Sequence, residues 1–253
     1  MILLNAAANL WFAVALLGQW AFLCYIAAFY GVSTLHGDFA HWSRNRSLYT
    51  GYVAGDTVGN LVFAAHVLLA AIVAFAGILQ LVPWLRARLP AVHRWNGRLF
   101  LGTAIAASVA GLYMVWVRGS SDGVVDGIAI SLDAVLVIAF GVLAWRAAMA
   151  RRFASHRRWA LRAYIAASAV WFYRLMLFGW VFVNRGPVAL ATVNRICAFA
   201  CYLLPLAVLE LYLRAETGAP RERHAMAALL FFLTCAMSVG IFAAYMLTWR
   251  RFI

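Results

Sequence analysis

The sequence predicts an all-α polytopic membrane protein, folded as a bundle of seven transmembrane helices. Of its 253 residues, 66% are hydrophobic and 11% are charged, and the mean hydropathy is +0.87. Soluble domains carry roughly 25% charged residues. Apolar runs of about 18 or more residues with few charges are typical of membrane-spanning helices. The chain contains seven such runs, and little sequence remains outside them, so we expect residues 1–253 to form a single integral membrane domain.

The seven predicted segments are residues 10–32, 57–83, 98–117, 124–148, 160–183, 188–213 and 225–248. Segment 1 follows a stretch without a basic region or a cleavage site, so we interpret it as a retained helix and not as a signal peptide. Pro83 and Pro90 bracket the loop before segment 3, because proline discourages helix continuation. The loop after segment 4 is basic with few helix breakers, and it could continue segment 4 as an interfacial helix.

Arginine placement predicts the orientation of the chain in the membrane. All 21 basic residues are arginine, and the formal net charge is +13. Alternating the loops across the membrane places thirteen arginines on one side and six on the other. The thirteen are Arg86, Arg88, Arg94, Arg98, Arg146, Arg151, Arg152, Arg157, Arg158, Arg162, Arg214, Arg221 and Arg223, and the six are Arg44, Arg46, Arg118, Arg185, Arg250 and Arg251. The positive-inside rule then predicts a cytoplasmic N-terminus and an external C-terminus.

This distribution of charge also bears on partners. The arginines lie in loops between apolar segments, which favours contact with the lipid bilayer and its anionic lipids over binding of nucleic acid.

Polar side chains at membrane depth form the first candidate site. Ionisable groups in transmembrane segments are costly and mark functional sites by default. Helical rise places several of them about nine residues, or roughly 14 Å, from the outer face. The resulting intramembrane polar cluster comprises His66, Tyr113, Asp133, Arg174 and Arg195. We expect Asp133 to pair with Arg174, either as a structural ion pair or as part of a site for a quinone headgroup, a propionate or an ion.

A second candidate site lies at the cytoplasmic ends of segments 3 and 5. The stretches HRWNGRLF and SHRRWALRAY place His93 with Arg98, and His156 with Arg162, at the same membrane level. Two histidines at equal depth on different helices match the ligand set of a metal or of a haem, and arginines suit haem propionates. Histidine, arginine and tryptophan are equally ordinary residues of the membrane interface, so the anchor interpretation stays open.

Five stretches carry a family resemblance, namely AAHVLLA, HRWNGRLF, SVAGLYM, HRRWALRAY and FYRLML. Over about residues 57–180, the sequence resembles a bacterial family of multi-helix membrane proteins known as domain of unknown function 2306. That family is similar in layout to two-haem b-type membrane cytochromes. The resemblance implies a bacterial inner-membrane location and a four-helix core made of segments 2 to 5. It marks His66, His93 and His156, accompanied by Arg98, Arg162 and Arg174.

The chain departs from the cytochrome layout in one respect. A two-haem core needs four histidines, and this core has three, because segment 4 carries Asp133 and no histidine. The resemblance therefore implies at most one haem b, ligated by His93 and His156.

Three functions follow as hypotheses. The first is an electron carrier, serving a quinone or an electron-donor protein. The second is a non-redox transporter or sensor that uses the intramembrane polar cluster, and the third is a membrane subunit or assembly partner. No catalytic residue is predicted, since the chain has no HExxH or CxxC motif.

Overall fold

A computed structural model describes residues 1–45, 51–184 and 189–252. Its α-helices are α1 Ile2–Ile26, α2 Val32–Leu35, α3 Thr57–Leu81, α4 Pro83–Arg88, α5 Pro90–Trp116, α6 Val124–Met149, α7 Phe153–Ala167, α8 Ala169–Val183, α9 Leu190–Ala215 and α10 Pro220–Leu247. In the described part of the chain, six helical stretches are long and apolar enough to cross a membrane. A seventh is added if α7 and α8 count as one broken span. The all-α, polytopic fold is thereby confirmed. Arg46, Arg185 and the predicted start of segment 6 at Val188 lie outside the described residues.

The first span begins earlier than predicted. Helix α1 starts at Ile2, where segment 1 was expected to begin at residue 10, and a π-helical turn over Ala27–Gly31 joins α1 to α2. Leu4 and Ala7 are buried against Ala215, Met226 and Leu230. The early start follows from this packing, because tertiary contacts extend a helix beyond the apolar run that identifies it.

Prolines begin helices in this protein, which corrects the expected boundaries of segments 3 and 7. Pro90 is the first residue of α5, eight residues before the predicted start, and Pro220 is the first residue of α10. Proline at the first helical position costs little, because its missing N–H would have no intrahelical partner there. His93 therefore lies in the first turn of a helix and not in a loop.

The basic stretch after segment 4 does not continue that segment. Helix α6 ends at Met149, and Arg151 has a φ of 56°, a left-handed conformation that an α-helix cannot contain. A new helix, α7, begins at Phe153. His156 therefore occupies the first turn of its own helix, as His93 does.

Predicted segment 5 is two helices and not one. The helix breaks at Ser168, whose φ and ψ of −89° and 2° lie outside the helical range, and α8 continues from Ala169. The Ser168 hydroxyl accepts a hydrogen bond from Gln19 Nε2 at 3.2 Å. The sequence around Ser168 is a run of mostly small, helix-compatible residues without glycine or proline. It therefore gives no sign of the break.

The chain divides into two compact units, which we call the histidine unit and the Arg174 unit. The histidine unit comprises residues 23–167 with the C-terminal residues, and in it α3 packs on α5, α5 on α6, and α6 on α7. These helices correspond to the predicted core, except that the second half of segment 5 belongs to the other unit. The Arg174 unit comprises residues 1–22 and 168–251, and in it α8 packs against both α9 and α10.

Candidate functional site: a pair of histidines at two helix starts

His93 and His156 occupy equivalent positions in the histidine unit. Each is the fourth residue of its helix, His93 in α5 and His156 in α7. Phe100 and Tyr164, seven and eight residues further on, pack with ring centroids 6.4 Å apart. At about 100° per residue, His93 lies on nearly the same face of α5 as Phe100, and His156 is rotated by about 80° around α7 from Tyr164. Each histidine lies about two turns before the ring on its own helix.

Both histidines of the predicted ligand pair are half-buried. The structure thus places each of them in the first turn of a helix of the histidine unit, and their joint ligation of a group stays a prediction.

The hydrogen bond of His156 fixes which ring nitrogen is available. Its Nδ1 lies 2.9 Å from the backbone oxygen of Ala144 in α6. A carbonyl oxygen can only accept, so the bond requires the proton to be on Nδ1. In the neutral ring Nε2 then carries the free lone pair. Metal-binding histidines are oriented in this way, with the second nitrogen donating to a carbonyl or carboxylate.

His93 is held through its backbone and not through its ring. Gln80 Nε2 of α3 donates to the backbone oxygen of His93 at 3.0 Å, and Asn96 Nδ2 donates to the backbone oxygen of Ala76 at 2.8 Å. These two amide bonds fix the start of α5 against α3. The ring atom Nδ1 of His93 is buried and has no hydrogen-bond partner among the described residues. A buried polar atom of this kind calls for an explanation, and water or a bound group can each supply its partner.

Gly77 in α3 lies against aromatic side chains of two other helices. A Cβ at Gly77 would lie 3.0 Å from the Phe100 ring and 3.2 Å from the Tyr164 ring. Side chains of α5 and α7 therefore pack together on α3 at Gly77. This position was not predicted, since a glycine within an apolar run gives no signal of its own.

The two arginines marked with the histidines are placed differently. Arg98 follows His93 by five residues, which puts it about 140° around α5 from the histidine. Its guanidinium stacks over the Trp95 ring at 4.7 Å, and both side chains are exposed. Arg162 stacks over Trp159 at 4.7 Å in the same way, but both side chains are half-buried and Trp159 stacks on Phe140.

His66 lies elsewhere in the histidine unit. Its Nδ1 is 2.9 Å from the backbone oxygen of Ala107. The ring also lies against Gly111, where an added Cβ would be 3.4 Å from it. The carbonyl again requires the Nδ1-protonated form. His66 thus ties α3 to α5 in the second half of α5, remote from His93 in its first turn.

The intramembrane polar cluster is divided between the two units. Tyr113 and Asp133 belong to the histidine unit with His66, whereas Arg174 and Arg195 belong to the Arg174 unit. Tyr113 is half-buried, and Asp133 Oδ1 is buried without a hydrogen-bond partner among the described residues. The pairing of Asp133 with Arg174 therefore stays a prediction.

Arg174 itself is almost completely buried, with 4% of its surface exposed. Its Nη1 donates to the backbone oxygen of Val170 at 3.0 Å, and its guanidinium lies over the Phe22 ring at 4.9 Å. Such contacts stabilise a buried cation. Arg195, expected at a similar depth, is exposed on α9.

Comparison with known proteins identifies the family. The model of a family described as predicted membrane protein (DUF2306) matches residues 63–213, which is more than half of the chain. This chain is a member of the DUF2306 family. Neither a curated protein nor a solved structure gives a significant match. The matched region of this DUF2306 protein contains both candidate sites and extends beyond the stretch that the sequence resemblance covered.

One further polar centre is formed by Arg118, which lies in the DUF2306 region, and by residues that precede this region. Its Nε lies 2.9 Å from Asp56 Oδ2, and its Nη2 donates to the Gly51 backbone oxygen and to Asn60 Oδ1, each at 2.8 Å. Asp56 is also the N-cap of α3 and accepts from the Gly59 backbone N–H at 2.8 Å. From its position in the sequence Arg118 is only a charge in an outer loop, because nothing local shows that it reaches residues about sixty positions earlier.

No group of three or more histidine, cysteine, aspartate or glutamate residues arranged to hold a metal ion occurs in the part of the chain that the structure describes. A bis-histidine haem site has only two protein ligands and is a different kind of site.

Proposed function

We propose that this DUF2306 protein is a membrane electron carrier that holds one haem b between His93 and His156. The observation that carries the proposal is that two half-buried histidines occupy the first turns of α5 and α7, about two turns before the Phe100 and Tyr164 rings that pack together. Histidine is a common axial ligand of haem iron.

The donor atoms of the pair fit this role. Ala144 orients the His156 ring through Nδ1 and leaves its Nε2 lone pair available. The buried Nδ1 of His93, without a partner among the described residues, is consistent with a site completed by a bound group. When bound, haem supplies one-electron chemistry, while the protein contributes ligation, orientation and exclusion of water.

Neither arginine lies on the same helix face as its histidine. Arg162 is half-buried, but six residues place it about 120° around α7 from His156, so we assign it no contact with a propionate. Arg98 is turned away from His93 and stacked on an exposed tryptophan, so we assign it no contact with the haem.

Absorption spectroscopy tests the proposal directly. We expect the full-length protein, purified in detergent from cells supplied with haem, to show a Soret band and a reduced-minus-oxidised difference. His93→Ala and His156→Ala should each lose most of this signal, because each removes one axial ligand.

Two histidine variants serve as controls. His224→Ala, at an exposed position near the start of α10, should leave the spectrum unchanged. His66→Ala should also retain it, since His66 lies near the other end of α5 from His93. A colourless wild-type protein, or equal loss in all four variants, would overturn the assignment.

A second candidate function rests on Asp133. A carboxyl oxygen buried in a membrane-spanning helix without a hydrogen-bond partner is typical of ion and proton paths. The corresponding proposal is a non-redox transporter or sensor that uses Asp133. Ion or substrate transport that is unchanged in Asp133→Asn would argue against it.

A further inference from the structure

An exposed patch of arginine and tryptophan covers α4 and the outward face of α5. We call it the basic patch, and its members are Trp84, Arg86, Arg88, Arg94, Trp95 and Arg98. Each of the six side chains is exposed, and Trp84 and Trp95 are 61% and 68% exposed. Four arginines thus share a small surface with two large aromatic rings.

The sequence leaves this charge uncompensated locally. Residues 81–100 contain no aspartate or glutamate. Helix α4 packs against α5 and buries Leu85, so its arginines and Trp84 are turned outward. A short helix with one buried apolar side chain and an exposed face of arginine and tryptophan is suited to lie at a membrane interface.

Arg98 and Trp95 form the best-defined element of the patch. The guanidinium lies 4.7 Å from the centre of the indole ring, one helical turn away along α5. Stacking restrains the guanidinium plane, while its N–H groups at the edge stay available to donate to an anion. Phosphate oxygens accept such bonds in pairs.

A second arginine–tryptophan stack, in α7, differs from that of Arg98 in its exposure. Arg162 stacks over Trp159 at the same distance and sequence separation. However, Trp159 also packs on Phe140, and both Trp159 and Arg162 are half-buried. The same local motif therefore packs inside the protein in α7 and faces outward in α5.

We infer that the basic patch binds the phosphate headgroup of an anionic phospholipid, with Arg98 stacked on Trp95 as the principal contact. Charge complementarity selects an anion, and the two exposed tryptophans favour one at a membrane interface. This inference is independent of the proposed haem site, because Arg98 and Trp95 lie on the face of α5 opposite to His93.

Spin-labelled lipids in reconstituted vesicles test the inference. Full-length protein is placed in phosphatidylcholine vesicles containing a trace of spin-labelled phosphatidylglycerol or phosphatidylcholine. Electron paramagnetic resonance then gives the relative affinity of the protein for the two lipids. We expect wild type to prefer phosphatidylglycerol over phosphatidylcholine. In Arg98→Gln this ratio of affinities should be lower by about two- to fivefold.

Matched variants separate a defined site from general charge. Arg250→Gln removes one exposed arginine near the C-terminus and should leave the preference unchanged. Arg98→Lys keeps the charge without the planar guanidinium and should fall between wild type and Arg98→Gln. The absence of any preference in wild type would overturn the inference and leave an acidic protein as the partner to seek. Equal effects of Arg98→Gln and Arg250→Gln would also overturn it.

Discussion

Arg118 and Asp56 join two parts of the histidine unit that lie 62 residues apart in sequence, with Arg118 Nε 2.9 Å from Asp56 Oδ2. The same carboxylate accepts the Gly59 backbone N–H as the N-cap of α3. One aspartate therefore begins a membrane-spanning helix and also holds the residue that follows α5.

Substitutions of Asp56 separate its two roles. Asparagine is itself a good N-cap, so Asp56→Asn keeps the cap and loses the ion pair, whereas Asp56→Ala loses both. We expect the melting temperature in detergent to fall in the order wild type, Asp56→Asn, Asp56→Ala. Asp122→Asn, at an exposed position, is the control and should melt like wild type.

Acidification should destabilise the protein through the same residue. The hydrogen bond from the Gly59 N–H, followed by that from Arg118, lowers the pKa of Asp56 below its usual value. A carboxyl group whose pKa is lower in the folded state than in the unfolded state stabilises the fold. This stabilisation is complete above the unfolded-state pKa of about 3.9 and is lost as the pH falls through the folded-state pKa. Melting curves from pH 7 to pH 3 should show a smaller loss for Asp56→Asn than for wild type. Parallel curves would contradict this.

A close helix crossing in the Arg174 unit depends on Gly240. A Cβ there would lie 2.9 Å from both the Cβ and the backbone oxygen of Leu175. Gly240→Ala should therefore force α10 away from α8, at a cost of about 1–3 kcal/mol from overpacking. This exceeds the gain of roughly 0.5–1 kcal/mol that alanine brings to a helix.

Gly102→Ala is the matched control for Gly240→Ala. Gly102 is also helical, but a Cβ there meets nothing within 4 Å. Thermal denaturation in detergent should show a lower melting temperature for Gly240→Ala and an unchanged or higher one for Gly102→Ala. Equal behaviour of the two variants would show that the crossing is not tight.

Asp133 should react with dicyclohexylcarbodiimide, which modifies neutral carboxylic acids in apolar surroundings. A buried carboxyl without a compensating partner is more stable neutral than charged. We expect mass spectrometry to find the adduct on Asp133, to lose it in Asp133→Asn and to retain it in Asp122→Asn. An unmodified Asp133 in wild type would contradict a neutral, buried carboxyl group.

The sequence by itself determined that the chain is a helical polytopic membrane protein and where most of its membrane spans lie. The thickness of the hydrocarbon core sets the length of an apolar helix, so composition along the chain suffices to find each one. Segments 2 and 4 were located to within two residues at each end. The candidate histidines were found for a similar reason, because an ionisable residue stands out against an apolar background.

Only the tertiary structure decided which side chains meet. The break at Ser168 follows no glycine or proline, and the packing of Phe100 and Tyr164 at Gly77 joins residues that are far apart in sequence. HRWNGRLF and SHRRWALRAY look alike as sequences, yet Arg98 faces outward and Arg162 is half-buried. The physical reason is that a helix presents every face to some neighbour, and the identity of that neighbour is set by non-local packing.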